Sequence, residues 1–292
     1  MNMNKFELFL AKISDDTTSG AEQLTPKALD LIRAAIEDEE ISDEKLAELM
    51  GKLVETFRNK LKEITPLIKL ADRIENLPKE NLRMEIDQLE KDTRQTFEHE
   101  FDSVGRHGAH LIRENSTVAT ISQSGTVLNV LVTAKKSSRD FHVIVPFGRP
   151  AGEGQLTART LAENGIDVTL VPDSAIGLVA RRSDIALVGA DAITREFFLN
   201  KIGTLSLAIA ARYFGIPFYI CARQEKLTTS NKIPEDTRVF ENNFFEPSES
   251  EFITTGVPLF ERIPLSLVTG VITEAGIIAP VKGIIEISED DK

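Results

Sequence analysis

The feature that most constrains this chain is a change of rhythm at Asn115. From Met1 to Asn115, apolar residues recur at spacings of three and four with almost no β-branched runs, the period of amphipathic helices. After Asn115, the short apolar segments TVATI at 117, FHVIV at 141, DVTLV at 167, DIALVGA at 184 and PFYICA at 217 alternate with helical stretches. These helical stretches follow Gly125, Gly154, Asp173 and Thr204. Such alternation is the signature of a parallel sheet with helical crossovers, and right-handed crossovers make the sheet doubly wound. The expected fold is α/β, with an N-terminal helical domain over 1–115 and a Rossmann-like doubly wound parallel-sheet domain over 116–292. The length of 292 residues agrees, since a domain usually holds roughly 100 to 200.

Within the helical part, Thr25-Pro26 reads as an N-cap with proline at the first helical position, and Ser42 before Asp43 and Glu44 reads as a second start. The stripe Leu46, Leu49, Met50, Leu53, Val54 and Phe57 follows that start. Thr65-Pro66 opens another helix, and beyond Pro78 a long one runs through Leu82, Ile86, Leu89, Phe97, Phe101 and Val104 toward Ile112. Residues 228–256, rich in Thr, Asn, Glu, Ser and Phe, read as an irregular excursion, a lid or an interface arm. The stretch IPLSLVTGVITEAGIIAP is expected to return as a short helix and a closing turn or strand.

Composition excludes several function classes. No apolar run reaches the roughly 18 residues of a spanning helix, so no membrane role is expected. The opening MNMNKFELFLAKISDD lacks a basic region followed by a small-residue cleavage site, and a cytoplasmic address is the expectation. The single Cys221 makes no internal disulfide and no multi-cysteine metal site, and is expected in a buried strand. His99, His107, His110 and His142 have no carboxylate motif that would complete a metal centre. The net charge of −12 argues against a nucleic-acid partner. Between Met1 and Asn115 there are 17 Lys and Arg against 25 Asp and Glu, so the helical part supplies −8 of that charge. This is either a solvated surface or a docking surface for a basic protein partner.

The chemistry gathers after the first and fourth strands. Thr120-Ile121-Ser122-Gln123-Ser124-Gly125-Thr126 ends a strand and opens a helix, where unpaired N–H groups and the helix dipole favour a phosphate. A plain N-cap is the alternative. The spacing is neither a Walker loop nor GxGxxG, and no cofactor is expected. Gly189-Ala190-Asp191 follows the fourth strand, where an aspartate can bind sugar hydroxyls or move a proton, or simply cap a turn. In Asn200-Lys201-Ile202-Gly203-Thr204, Lys201 could neutralise a phosphate, Asn200 could hydrogen-bond a ligand, and Gly203 with Thr204 could offer a second helix N-terminus. Arg149, in Pro146-Phe147-Gly148-Arg149-Pro150, places a fork-shaped cation after the second strand. Asp173 either lines the same crevice or caps a helix.

These residues carry a family resemblance. Together with Ser19-Gly20-Ala21, Thr65-Pro66-Leu67-Ile68 and Leu267-Val268-Thr269-Gly270-Val271-Ile272-Thr273-Glu274, they make the chain resemble the initiation factor 2B alpha/beta/delta group. That group includes the regulatory subunits of the translation factor, ribose-1,5-bisphosphate isomerase and methylthioribose-1-phosphate isomerase. For the isomerases the resemblance implies ring opening of an aldose 1-phosphate to a ketose, with a cysteine and an aspartate moving protons. Asp191 matches the aspartate, Asn200 and Lys201 match a substrate-contacting pair, and Ser122 stands at the cysteine position. An ordinary thiol has a pKa of about 8.5, whereas a serine hydroxyl exchanges no proton at neutral pH without a strong base beside it. The glutamate expected before Arg149-Pro150 is replaced, and no arginine-rich glycine turn precedes Lys27. The expected function is therefore binding of a phosphorylated small molecule, a sugar phosphate or a nucleotide, without cysteine-dependent isomerisation. An active aldose-ketose isomerase using Asp191 and a translation regulator acting through protein partners are the alternatives. The resemblance also implies a homodimer through the α/β domain.

Overall fold

A computed structural model describes residues 3–16, 19–62, 64–149, 151–229 and 259–287. All but the first two residues of the 228–256 excursion lie outside this set. The chain divides into two compact units, Met1–Asp102 and Ser103–Lys292.

The first unit is built from α1 (Met3–Ser14), α2 (Ala21–Ile36), α3 (Asp43–Lys60), α4 (Thr65–Glu75) and most of α5 (Leu82–Ala109), whose last turns belong to the second unit. Ser42 caps α3 by accepting a hydrogen bond from the Lys45 amide, and the six apolar residues expected on one stripe of α3 are its buried residues. Proline sits in the first turn of α4, as Thr65-Pro66 suggested. α2 differs from expectation. It starts at Ala21 because the Gly20 N–H donates to Gln23 Oε1 while the Gln23 and Leu24 amides bond back to Gly20 O. Pro26 thus lies inside the helix, where it forgoes one backbone hydrogen bond. Leu24, Leu46, Leu53, Phe57 and Leu67 are fully buried, each worth about 1.5–3 kcal/mol of apolar burial.

The second unit is a seven-stranded sheet with helical crossovers. Its elements are β1 (Thr117–Ala119), α6 (Gly125–Lys136), β2 (His142–Pro146), α7 (Glu153–Glu163), β3 (Asp167–Val171), α8 (Ile176–Arg181) and β4 (Ile185–Val188). Next come β5 (Ala192–Ile193), β6 (Phe197–Lys201), α9 (Thr204–Phe214) and β7 (Phe218–Cys221). Last come β8 (Phe260–Pro264), β9 (Gly270–Thr273) and β10 (Gly276–Ile278). All five expected strands are present. The sheet order is β10-β9-β7-β4-β1-β2-β3, parallel except for β10. Counted along the chain, its six parallel strands run 3-2-1-4-5-6, the order of dinucleotide-binding folds, with the switch point between β1 and β4. Both faces are apolar: Ala119, Ala186 and Val188 join one core, while Val118, Ile185 and Leu187 join the other.

β5, β6 and β8 form a separate antiparallel sheet. Asn200 and Lys201 are therefore the last residues of a strand, paired with Glu261 and Phe260. The segment from 265 gives a single 3-10 turn, Leu265–Leu267, followed by β9 and β10.

Candidate functional site

Three strand ends of the main sheet meet where the strand order reverses. After β1 the backbone turns through Ser122 at φ 61, a left-handed conformation that costs a non-glycine residue about 1–2 kcal/mol. The turn is fastened from α7, where Thr157 Oγ1 donates to Ser122 O at 2.7 Å. Gln123 follows, half-buried. Ser124 then caps α6, which begins at Gly125: its Oγ accepts from the Val127 amide at 3.4 Å and lies 3.0 Å from Thr126 Oγ1. The Thr126 hydroxyl donates onward to Cys221 O at 2.7 Å, tying the turn to the end of β7. Across the switch point, a Cβ on Gly189 would stand 2.5 Å from Ser124 Oγ. The absence of a side chain at 189 is what lets the two strand ends approach.

The end of β4 leads into the small sheet. Asp191, 9% exposed, is held by its amide, which donates to Leu199 O at 2.9 Å. Asn200 Nδ2 donates to Thr204 Oγ1 at 3.0 Å, and that hydroxyl donates to Lys201 O at 2.6 Å. Gly203 caps α9 at φ 97, and a Cβ there would meet Ile121 Cδ1 at 2.9 Å, so the start of α9 lies against the end of β1. One N-terminal amide of α9 is already taken, because Leu205 N donates to Glu261 Oε1 at 2.9 Å.

The end of β2 supplies a residue that sequence reasoning missed. Glu153 opens α7 and pairs through Oε1 with Lys201 Nζ; the two side chains are 4% and 6% exposed. Glu153 Oε2 is buried with no hydrogen-bond partner among the described residues. The turn above it is tight: a Cβ on Gly154 would meet Pro146 O at 1.8 Å, and Gly148 holds φ 81. The Asp173 carboxylate pins this turn by accepting from the Gly148 and Arg149 amides at 2.8 and 3.0 Å. Arg149 is exposed and lies over the Phe147 ring, 4.5 Å from its centroid. The only hint of Glu153 in the sequence was an acidic residue ahead of a helix start, which also describes an ordinary first-turn acid.

The structure thus brings together Ser122, Ser124, Thr126, Gly189, Gly203 and, through Glu153, Lys201. Arg149 is held through its amide by Asp173, and its guanidinium lies over the Phe147 ring. Cys221 is fully buried at the end of β7, and burial pushes its thiol up to about 12. Among the described residues no group of three His, Cys, Asp or Glu could hold a metal ion, and no helix is long and apolar enough to cross a membrane.

Known proteins are similar to this chain in sequence and in fold. Residues 17–280 match the model of the Initiation factor 2 subunit family. The chain is 34% identical over 190 residues to the ribose 1,5-bisphosphate isomerase of Methanocaldococcus jannaschii, covering 61% of this chain and 60% of that protein. It is 34% identical over 194 residues to the methylthioribose-1-phosphate isomerase of Bacillus pumilus, covering 60% of this chain and 55% of that one. The chain therefore spans less than two thirds of the length of either relative. The crystal structure of the Pyrococcus horikoshii translation initiation factor eIF-2B superposes with a TM-score of 0.83 at 28% identity, covering 98% of this chain and 100% of that one. A match that takes in both the helical unit and the switch-point sheet leaves one assignment: the chain belongs to the initiation factor 2 subunit family.

Proposed function

We propose that this chain binds a small phosphorylated ligand, a sugar phosphate or a nucleotide, at the carboxyl ends of β1, β2 and β4, and does not carry out cysteine-dependent isomerisation. The observation that carries this reading is the concentration of buried polar side chains there: Thr120, Thr126, Glu153, Asp191, Asn200, Lys201 and Thr204 are all 9% exposed or less. Burying so many polar groups is costly unless they serve a ligand or one another. In this reading Asn200 and Asp191 meet sugar hydroxyls, Lys201 offsets the phosphate charge, and the amides of the Ser122–Thr126 turn cradle it. Arg149 contributes a second cation from the turn after β2. The exclusion of cysteine chemistry rests on Ser122 at the cysteine position and on the deep burial of the one thiol.

Thermal denaturation with ribose 1,5-bisphosphate, methylthioribose 1-phosphate and nucleotides tests the binding. A ligand at a hundred times its Kd adds about 2.7 kcal/mol of stability. No shift with any phosphorylated compound would overturn the proposal. The names of the two isomerase relatives favour a second reading, an aldose-ketose isomerase in which Asp191 works without a cysteine. Ketose appearing by NMR, and lost in Asp191→Asn, would put that reading first. A regulatory role in translation is supported by the Pyrococcus horikoshii neighbour, and capture of a translation factor by the purified chain tests it.

The proposal includes a cytoplasmic homodimer formed through the α/β unit. Ile209, Tyr213 and Phe214 on α9 are 53%, 82% and 40% exposed, an apolar surface of the kind that self-association covers. Sedimentation equilibrium tests it.

A further inference from the structure

Given the ligand binding proposed for these strand ends, we propose that Asp173 is a positioning residue of that site: its carboxylate fixes the turn after β2 so that Arg149 is presented to the ligand's phosphate. The sequence offered two roles for Asp173, lining the crevice or capping a helix. Its place is different. The 3-10 turn Asp173–Ala175 has no side-chain cap, and both carboxylate oxygens reach instead to the neighbouring turn. Oδ1 accepts from the Gly148 amide at 2.8 Å, and Oδ2 accepts from the Arg149 amide at 3.0 Å. The Phe147 amide donates to Val171 O, at the end of β3, at 2.8 Å. The consecutive amides of Phe147, Gly148 and Arg149 are thus all held from the β3 side.

The turn so held carries an arginine fixed at both ends. Its amide is gripped by Asp173, and its guanidinium lies 4.5 Å from the centroid of the Phe147 ring. That ring is backed by Gly152, where a Cβ would stand 3.2 Å from Phe147 Cε1. Gly152 also closes the turn, its amide donating to Gly148 O at 2.7 Å. An exposed arginine ordinarily samples many rotamers, and ordering it on binding costs affinity. Here the order precedes the ligand. A guanidinium meets a phosphate through two parallel N–H donors, a match that a displaced backbone would spoil. The clamp also calls for a carboxylate: two N–H donors need two acceptor oxygens, whereas asparagine brings one oxygen and a further donor.

The test is isothermal titration calorimetry on the full chain, with whichever of ribose 1,5-bisphosphate, methylthioribose 1-phosphate and ATP most raises the melting temperature of the wild type. Asp173→Asn is expected to weaken binding by about tenfold or more, and Arg149→Gln by a similar factor. The double variant is expected to bind no more weakly than Arg149→Gln alone, because Asp173 acts through Arg149. General damage to the fold would instead multiply with the loss from Arg149→Gln. Circular dichroism establishes that each variant is folded. If Asp173→Asn does not fold, Asp173→Glu, which keeps the charge and moves both oxygens out by one methylene, decides through the same cycle. The role of Asp173 is overturned, with ligand binding intact, if the wild type binds and either the folded Asp173 variant or Arg149→Gln binds as tightly. It is overturned in the same way if the two losses multiply in the double variant. If the wild type binds none of the three compounds, the ligand site itself falls, and the role of Asp173 with it.

Discussion

The helical unit and the α/β unit treat buried polar groups differently. Among the described residues of the first, the polar ones within 9% exposure are Glu22, Thr25, Glu90 and Thr93, scattered through an apolar bundle. In the second they crowd the carboxyl ends of the strands, from Thr120 and Thr126 through Glu153, Asp191, Asn200 and Lys201 to Arg223 and Thr273, while Ser116 and Ser183 lie near the amino ends. The ion pairs follow the same division. Glu90 is 1% exposed, yet its partners Arg33 and Arg94 are 24% and 32% exposed and reach water. Glu153 and Lys201 are shut in together. A bundle can place a charge under its surface and let the counter-ions stay solvated. The strand ends gather their buried polar groups into one place, the place where open α/β sheets bind ligands.

The largest test of that contrast is Lys201→Met. It strands the Glu153 carboxylate without its buried cation and is expected to cost about 3–5 kcal/mol in denaturant unfolding. Glu153→Gln in the same chain should recover most of that loss, since the lone charge is gone. If the single variant costs less than about 1 kcal/mol, the typical worth of an exposed pair, the distinction between the two ion-pair types fails.

A smaller effect is expected from Glu90→Gln in the bundle. Arg33 keeps Asp87 and Arg94 keeps Asp30, so the loss should be about 1.5–3 kcal/mol, the worth of a hydrogen bond to a charged group. The smallest effect concerns acid. Lys91 and then Arg33 hold the Asp87 carboxyl below its ordinary value of 3.8. A carboxyl depressed in the folded state contributes stability that is complete above its unfolded value and fades as pH falls through the folded one. Carboxyl NMR should therefore show Asp87 titrating below 3.8 while the unit is folded. Titration at or above that value would remove the network from the account of the bundle.

The parts legible in the sequence were those decided by local pattern. The α3 stripe and its Ser42 cap, and the runs at 117, 141, 167, 184 and 217, each announce one period over a short window. The small antiparallel sheet escaped because β6 pairs with β8 some sixty residues away, a partnership that FFLNK does not advertise. This is why Asn200 and Lys201 were read only as ligand contacts ahead of a helix start, although they end a strand. The start of α2 escaped because Gly20 and Gln23 exchange hydrogen bonds through a glycine, while Thr25-Pro26 offered a more conspicuous signal. At the site, Ser124 and Gly203 were recognisable as residues of helix starts. Glu153 was not, because its meaning comes from Lys201, 48 positions away.

The burial of Cys221 gives the molecule a built-in reporter. The chain has one thiol, and in the folded state it is inaccessible and held protonated. A thiol reagent added to the native protein therefore registers those molecules whose sheet has opened at β7, so the labelling rate becomes a clock for unfolding of the α/β unit. A cysteine introduced anywhere on the surface would react alone, which lets a single probe be placed on either unit without altering the native sequence elsewhere.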